Sequence, residues 1–492
     1  MPVKWYNSLI YLQFVPSLLK FTKIIGLATA GFLVVIILTV IFGRVYCSTV
    51  CPLGILQDFF SYLSRKFKVR RKYKPAKSFK VLRYALLAIP IIFLIFNSNL
   101  VLNLLDPYSN FGRISSDLFR PAVVGINNIM ARGLEKINIF FLYAVTYHGF
   151  HWATIWISGV ILVLVFWLSF YHGRLYCNSI CPVGTLLGLI SKISIFKIRF
   201  DSVTCTKCGK CSVACKAGCI DFRNLRLDFD RCVGCFNCIE SCDSNSIRFK
   251  LVNSFSKKPV NEETRQSKRE FLGRTFVYGL GFIGLSKSIR AAGKTSMVHE
   301  KDLIPENKNY YVSPPGSINL DHYKGHCTAC HLCISVCPTG VLQPSFLEFG
   351  FTGMMIPRMD YHTNYCNYEC TKCGEACPTG AILPLETEVK KLTQIGKVKF
   401  VKHNCIVHTD NTACGSCSEH CPTQAVRMVP YKNDLTIPET HPEICIGCGA
   451  CEYACPVRPY RAIYIDGNSV HQIAEKPHFE ELESGKQEEF PF

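Results

Sequence analysis

Apolar residues gather in a few long runs in the first half of this chain and scatter into short ones in the second. Ile24 to Phe42 carries no charge over nineteen residues; Val81 to Leu105 carries only Arg83, near its start; Trp152 to Phe170 is uncharged, with aromatic residues at both ends. A helix rises about 1.5 Å per residue, so about twenty apolar residues cross a hydrocarbon layer ~30 Å thick. Each run is therefore predicted to be a membrane span. A fourth candidate, Phe271 to Leu285, is shorter, rich in glycine and interrupted by Arg274.

Charge sets the expected orientation. Ten Lys and Arg fall between Arg65 and Arg83, the mark of a cytoplasmic loop beside membrane spans. The first span then ends inside, the second goes out, the third returns and the fourth goes out again, leaving everything after about Arg290 periplasmic. The first twenty residues fit either an outer interfacial helix or an extra segment. Ahead of the fourth run, Ser267-Lys268-Arg269-Glu270-Phe271-Leu272 has the form of a twin-arginine export signal with Lys in place of the first Arg. No A-x-A cleavage site follows, so the segment is expected to stay as an anchor.

Composition narrows the chemistry. At roughly 150 residues per domain, 492 residues make about three domains, and 49% hydrophobic content excludes a disordered or collagen-like chain. The excess of 55 Lys+Arg over 36 Asp+Glu, +19 in all, would suit a nucleic-acid partner. The 29 cysteines weaken that reading. Most lie two or three residues apart, too crowded for a disulfide scaffold, so metal ligation is the better account. A four-iron cluster on four thiolates carries about −2, and six of them would bring the total to about +7. No nucleic-acid partner is expected.

The spacing of the cysteines specifies what they hold. Cys205, Cys208, Cys211 and Cys215 are followed by Cys232, Cys235, Cys238 and Cys242, the pattern of a two-cluster ferredoxin. Three closely spaced thiolates wrap one iron cube and the fourth crosses to the other, which assigns Cys205/208/211 with Cys242, and Cys232/235/238 with Cys215. The arrangement recurs twice. Cys327, Cys330 and Cys333 are expected to share a cluster with Cys377, and Cys366, Cys370 and Cys373 with Cys337; Cys405, Cys414 and Cys417 with Cys455, and Cys445, Cys448 and Cys451 with Cys421. Six [4Fe-4S] clusters result. Zinc ribbons use two pairs of ligands instead of repeated quartets.

Four further cysteines form another repeat. Gly43-Arg44-Val45-Tyr46-Cys47-Ser48-Thr49-Val50-Cys51-Pro52-Leu53-Gly54 matches Gly173-Arg174-Leu175-Tyr176-Cys177-Asn178-Ser179-Ile180-Cys181-Pro182-Val183-Gly184. Self-similarity at the inner ends of two spans implies two related helical units. Cys47, Cys51, Cys177 and Cys181 can bind one metal ion or a seventh cluster, form redox-active disulfides, or simply pack. Cys219 is expected to be a buried free thiol. His148 and His151, beside the outer end of the third span, suit a haem or quinone, or interfacial hydrogen bonding.

These motifs resemble two families that act together beside the periplasmic nitrate reductase. Residues 1 to about 250, with the repeat above, Asp106-Pro107-Tyr108-Ser109 leading to Gly112-Arg113, and a two-cluster ferredoxin, resemble the NapH-type quinol dehydrogenase membrane subunit. Residues from about 262 to 492, with the export-like signal and four cysteine motifs, resemble the NapG/MauM-type exported ferredoxin. The resemblance implies a fused protein of the bacterial inner membrane that oxidises menaquinol or ubiquinol and delivers electrons to a periplasmic reductase or cytochrome, with other membrane subunits as further candidate partners. The expected fold is a membrane α-helical domain of about four spans plus α+β ferredoxin-like two-cluster modules. Its parts are a transmembrane domain (1–200), a cytoplasmic two-cluster ferredoxin (201–250), a linker with signal and fourth span (251–292) and a periplasmic four-cluster domain (293–492). Lys216 and Asp243 stand where the family has Pro after Cys215 and Cys242; that Pro is not a ligand. No catalytic acid or base is assigned. The alternative is an accessory or maturation protein, resembling cytochrome oxidase assembly and nitrous oxide reductase regulatory proteins, in which the C-x3-CP thiols handle copper or reduce disulfides.

Overall fold

Apolar faces in the first half of the chain build a helical bundle. In the computed structural model, which describes residues 9–23, 26, 29–67, 80–96, 98–145, 152–251 and 303–476, α1 (Phe14–Lys23) packs on α2 (Gly31–Phe42) by edge-to-face contacts of Phe14 and Phe21 with Phe32. Then come α3 (Pro52–Lys66), α4 (Lys80–Ile95), α5 (Pro107–Ile114), a π-helical turn (Ser115–Phe119), α6 (Arg120–Glu135), α7 (Trp152–His172) and α8 (Pro182–Ser191). The Asp106-Pro107-Tyr108-Ser109 motif is a helix start. The Asp106 carboxylate accepts hydrogen bonds from the Ser109 N–H (2.8 Å) and hydroxyl (2.7 Å), and Pro107 fills the first helical position, where a missing N–H costs nothing.

Among the described residues one helix, α7, is long and apolar enough to cross a membrane; α2 and α8 are apolar but shorter. The run predicted as the first span yields a twelve-residue helix, with residues 24, 25, 27 and 28 outside the described set. The second predicted span, Val81 to Leu105, is interrupted: α4 ends at Ile95, and Asn99 precedes a separate short helix, Leu100–Leu105. The export-like signal, the fourth predicted span and His148 and His151 lie outside the described residues.

A cysteine-rich module sits at each end of the bundle. In the first, β1 (Phe196–Phe200) pairs with β2 (Ile247–Leu251), and the stacked rings of Phe42, Phe196 and Phe249 fasten that sheet to the end of α2. Arg83, 1% exposed, donates to the Asp230 carboxylate at 3.1 Å. The second module, residues 303–476, is built on an antiparallel pair, β3 (Thr393–Phe400) with β4 (Ile463–Ile473), and two smaller ladders, Leu342–Pro344 with Pro357–Met359 and Val426–Pro430 with Thr436–Thr440. Leu104 and Ile157 of the bundle pack against its core. The 21 residues of α7 make a rod about 31 Å long. Near its start, Ser158 donates to Asp117 (2.8 Å), which binds His331 of the second module (3.1 Å); just past its end, the Arg174 N–H donates to Lys216 O of the first (3.0 Å). The modules therefore occupy opposite ends of α7.

One buried base gives the second module a pH dependence. Burial holds the His471 imidazole down to about 4: Nε2 lies 2.9 Å from Ser313 Oγ, and Nδ1 meets no partner among the described residues. The folded state thus resists a proton that the unfolded chain takes up near pH 6.5. Stability present above that pH is expected to fall as pH drops from 6.5 towards 4, by at most about 1.4 kcal/mol per unit. Thermal melts at pH 7 and pH 5 should show the loss, and His471→Gln should shrink it.

Candidate metal centres

In the second module the chain brings distant cysteines together. Cys333 lies in the electrostatic field of Cys327, Cys330 and Cys377; Cys373 in that of Cys366, Cys370 and Cys337. Cys417 groups with Cys405, Cys414 and Cys455, and Cys451 with Cys445, Cys448 and Cys421. These are the four crossed sets that the spacing assigns. Single helical turns position them: Leu332–Val336, Lys372–Ala376, Ser416–Glu419 and Ala450–Ala454 each carry the third of three closely spaced ligands, Cys333, Cys373, Cys417 and Cys451. Burial pushes the Cys366 and Cys445 thiols up to about 11 and Cys448 to about 12, so at neutral pH these groups hold protons unless a cation replaces them.

The quartets also have a spatial order that differs from their order in sequence. Cys333 feels Cys373, and Cys448 feels Cys366, whose N–H donates to Cys448 O at 2.9 Å. The sequence from the bundle outward is thus the Cys330 set, the Cys366 set, the Cys448 set and, sharing its crossing ligands, the Cys414 set. Replacing Cys337 with Ser is expected to lower iron by about four per chain while the set containing Cys330 stays intact. Iron analysis with EPR of the reduced protein separates this from loss of the Cys330 set.

In the first module Cys235 and Cys238 lie in the field of Cys232 and Cys215, and Cys211 in that of Cys205 and Cys208. Cys242 Sγ is 3.2 Å from Ser246 Oγ and 3.6 Å from Ser244 Oγ. Cys219 is 6% exposed, with its sulfur 3.5 Å from Cys215 Sγ, so it touches a ligand set to which spacing did not attach it.

The two C-x3-CP repeats meet in the middle of the bundle. Cys47, Cys51, Cys177 and Cys181 are all buried, none is in a disulfide, and Cys181 lies in the field of the other three. Around them Arg44 and Arg174 are each 0% exposed and reach across to the opposite repeat: Arg44 Nη2 donates to Cys177 O (3.2 Å) and Arg174 Nη1 to Cys47 O (2.6 Å). Gln57 Nε2 donates to Cys177 Sγ at 3.2 Å. Gly54 and Gly184 permit the crossing, because a Cβ on either would strike the carbonyl of Cys47 or Cys177 and an arginine nitrogen. Both arginines recur in the two repeats at the same offset from the cysteines, which is the sequence signal of their shared role.

Charge and spacing test what this centre can hold. Arg44 and Arg174 lie against the quartet; Asp58 binds Arg174 through two 2.8 Å hydrogen bonds and Lys216 at 3.1 Å, and Arg44 has no carboxylate partner among the described residues. The surplus of positive charge balances an anionic centre of about −2, that of four thiolates on a four-iron cluster or on one divalent ion. Sulfurs around one tetrahedral zinc stand ~3.8 Å apart. Among the described residues no three thiols have sulfurs within 4.8 Å of one another; the one trio of ligand atoms that close is Glu306, His362 and Glu452.

The quartet has a buried polar neighbour towards each module. Arg44 Nη1 donates to Asp230 O (2.9 Å), two residues before Cys232, and Cys232 lies in its field. On the other side Asn110 Nδ2 donates to Tyr176 Oη (3.1 Å), Arg113 Nη2 donates to Asn110 Oδ1, and Arg113 lies in the field of Cys330. Gly112 packs directly on Cys330 O.

Comparison with known proteins agrees with these centres. A 4Fe-4S binding domain model matches residues 25–70 and 152–201, the two C-x3-CP repeats, and 4Fe-4S dicluster domain models match 326–381 with 412–458, and 228–341. Similar proteins include the Escherichia coli K12 ferredoxin-type protein NapF, 29% identical over 31% of this chain and 85% of the relative. The ferredoxin-type protein NapG of the same strain is 28% identical over 29% of this chain and 65% of the relative. The methylamine utilization ferredoxin-type protein MauM of Methylophilus methylotrophus is 30% identical over 35% of this chain and 76% of the relative. No solved structure matches. With its crossed cysteine quartets and this shared sequence, the chain belongs to the Nap/Mau-type family of iron-sulfur ferredoxin-type proteins.

Proposed function

We propose that this protein is a membrane-anchored electron relay that takes electrons from a quinol and passes them to a periplasmic reductase or cytochrome. The observation that carries the reading is the position of the C-x3-CP quartet, buried in the bundle with Arg44 leading to one module and Tyr176, Asn110 and Arg113 leading to the other. When bound, each four-iron cluster accepts and returns one electron. The protein's part is to hold thiolates in line: the Cys208 and Cys232 sets, the C-x3-CP quartet, then the Cys330, Cys366, Cys448 and Cys414 sets. Seven centres in that order include the six that spacing assigns.

The same reading makes residues 1–200 a membrane domain of about four spans, 201–250 cytoplasmic and 293–492 periplasmic, with the segment between as linker and anchor. It is supported by the placement of the modules at opposite ends of α7 and by the basic run ending at Arg83, whose guanidinium binds the first module. The partner then docks at the Cys414 end of this series.

Anaerobic protein in detergent, mixed with a reduced menaquinol analogue and followed by EPR, is expected to show reduced clusters on the timescale of turnover. Clusters that respond to dithionite but stay silent to quinol would overturn the relay from quinol and favour the maturation reading.

A further inference from the structure

A cavity of about 570 Å³ opens where the helical bundle meets the second module. That is within the ~300–1,000 Å³ range of small-molecule sites. Its walls are mainly apolar, with Ile10, Val50, Ile55, Phe111 and Leu332 among them, and they bring two thiol centres to one space. Cys330 is itself a wall residue, and Val50 and Pro52, which flank Cys51 of the C-x3-CP quartet, form part of the rest. The polar side chains among its walls include Gln13, Tyr108, Ser116, Arg120 and His331, with the hydroxyls of Thr49, Ser115 and Ser335. Ser115 and Ser116 belong to the π-helical turn, an irregularity common at functional sites because the wider turn redirects side chains. Ile55 is 51% exposed, so the cavity is approached over an apolar surface of α3 that also presents Phe59 and Tyr62.

An apolar pocket with a few hydroxyls and a guanidinium fits a flat ring bearing two polar oxygens and an apolar tail. Its approach over exposed aromatic and aliphatic side chains suits a ligand that arrives from lipid. We infer that this cavity binds a lipid-soluble hydroquinone, with its ring between Cys330 and the Val50–Pro52 wall. The inference rests on the relay reading above and assigns the entry point of its electrons. Oxidation of one hydroquinone to quinone breaks two O–H bonds and releases two electrons and two protons. With clusters held by the Cys330 set and by the C-x3-CP quartet, each would take one of the two electrons, and both protons would pass to solvent water. The two centres flanking one ring supply the two one-electron acceptors that a two-electron donor requires.

The test uses the full chain in lipid nanodiscs. Ile55→Trp fills the mouth, and Ser116→Leu removes a hydroxyl from the wall; iron content and the dithionite-reduced EPR spectrum verify that each variant is folded and loaded. The probe is 2-heptyl-4-hydroxyquinoline N-oxide, a hydroquinone mimic whose fluorescence reports binding without turnover. One probe per wild-type chain is expected, with affinity at least tenfold weaker in Ile55→Trp and quinol-driven cluster reduction slowed in parallel. If both loaded variants bind the probe and accept electrons from quinol as the wild type does, the cavity is not the site, although the relay reading stands. If quinol fails to reduce even the wild type while dithionite succeeds, the relay reading and the site fall together.

Discussion

Replacing Cys51 and Cys181 with serine is expected to remove about four irons per chain and to cut the first module off from quinol. These cysteines come from different repeats, Cys181 lying in the field of the other three thiols of the quartet and Cys51 in that of Cys47 and Cys177, so one change in each half leaves no side with two ligands. The Cys330 set lies beyond Asn110 and Arg113 and does not depend on them. In the double variant, which keeps only one of the two acceptors beside the ring, quinol should reduce clusters in residues 303–476 more slowly than in the wild type, while those of residues 201–250 respond only to dithionite. Freeze-quench EPR distinguishes the two populations in time. Undiminished iron would show that the C-x3-CP thiols hold no cluster, and undiminished reduction of the first module would show that electrons bypass them.

How far the chain could be read from its sequence depends on the range of the determining contacts. The crossed quartets are local: three thiolates within a short loop and a fourth at a fixed remove leave little freedom, so grouping by spacing and grouping in space coincide for Cys327/330/333 with Cys377. Cys47 and Cys177 belong to distant segments, and spacing left ion, cluster, disulfide and packing all open. What the fold adds is the meeting of the two repeats, four buried thiols with two buried arginines around them. Hydropathy was least informative where polar residues serve the bundle itself. Arg83 reads as an interruption in an apolar run, yet its guanidinium is spent on Asp230; Ser98 and Asn99 interrupt the same run just where the second module attaches, the Asn99 amide donating to Gly325 O. That docking of a distant module on residues 99–120 leaves no periodic trace. Aspartate at 106 and proline at 107 announce a helix start, but nothing in them announces that the helix will lie between two metal centres.

Arg174→Met should destabilise the bundle by roughly 3–5 kcal/mol, the usual result of removing one member of a buried ion pair, and Arg44→Met by about 1–3 kcal/mol for each buried acceptor that it leaves unpaired. The two should nevertheless fail differently. Arg174 is the partner of Asp58, and its loss leaves that carboxylate with Lys216 alone at 3.1 Å, as well as leaving Cys47 O without its donor. Arg44 has no carboxylate partner; it donates to Asn178 Oδ1, Cys177 O and Asp230 O, so its loss loosens the first module from the bundle. A second change, Asp58→Asn, should therefore recover part of the stability of Arg174→Met and none of that of Arg44→Met. Lysine cannot reproduce either fork, since it offers a point charge where the site uses planar donors aimed at two groups. Denaturant unfolding of the iron-loaded chain, read at the bundle and by release of iron, measures both effects. Equal rescue of the two variants by Asp58→Asn would mean that the arginines act only as charge around the quartet, and that their crossed hydrogen bonds to Cys47 and Cys177 do not hold the repeats together.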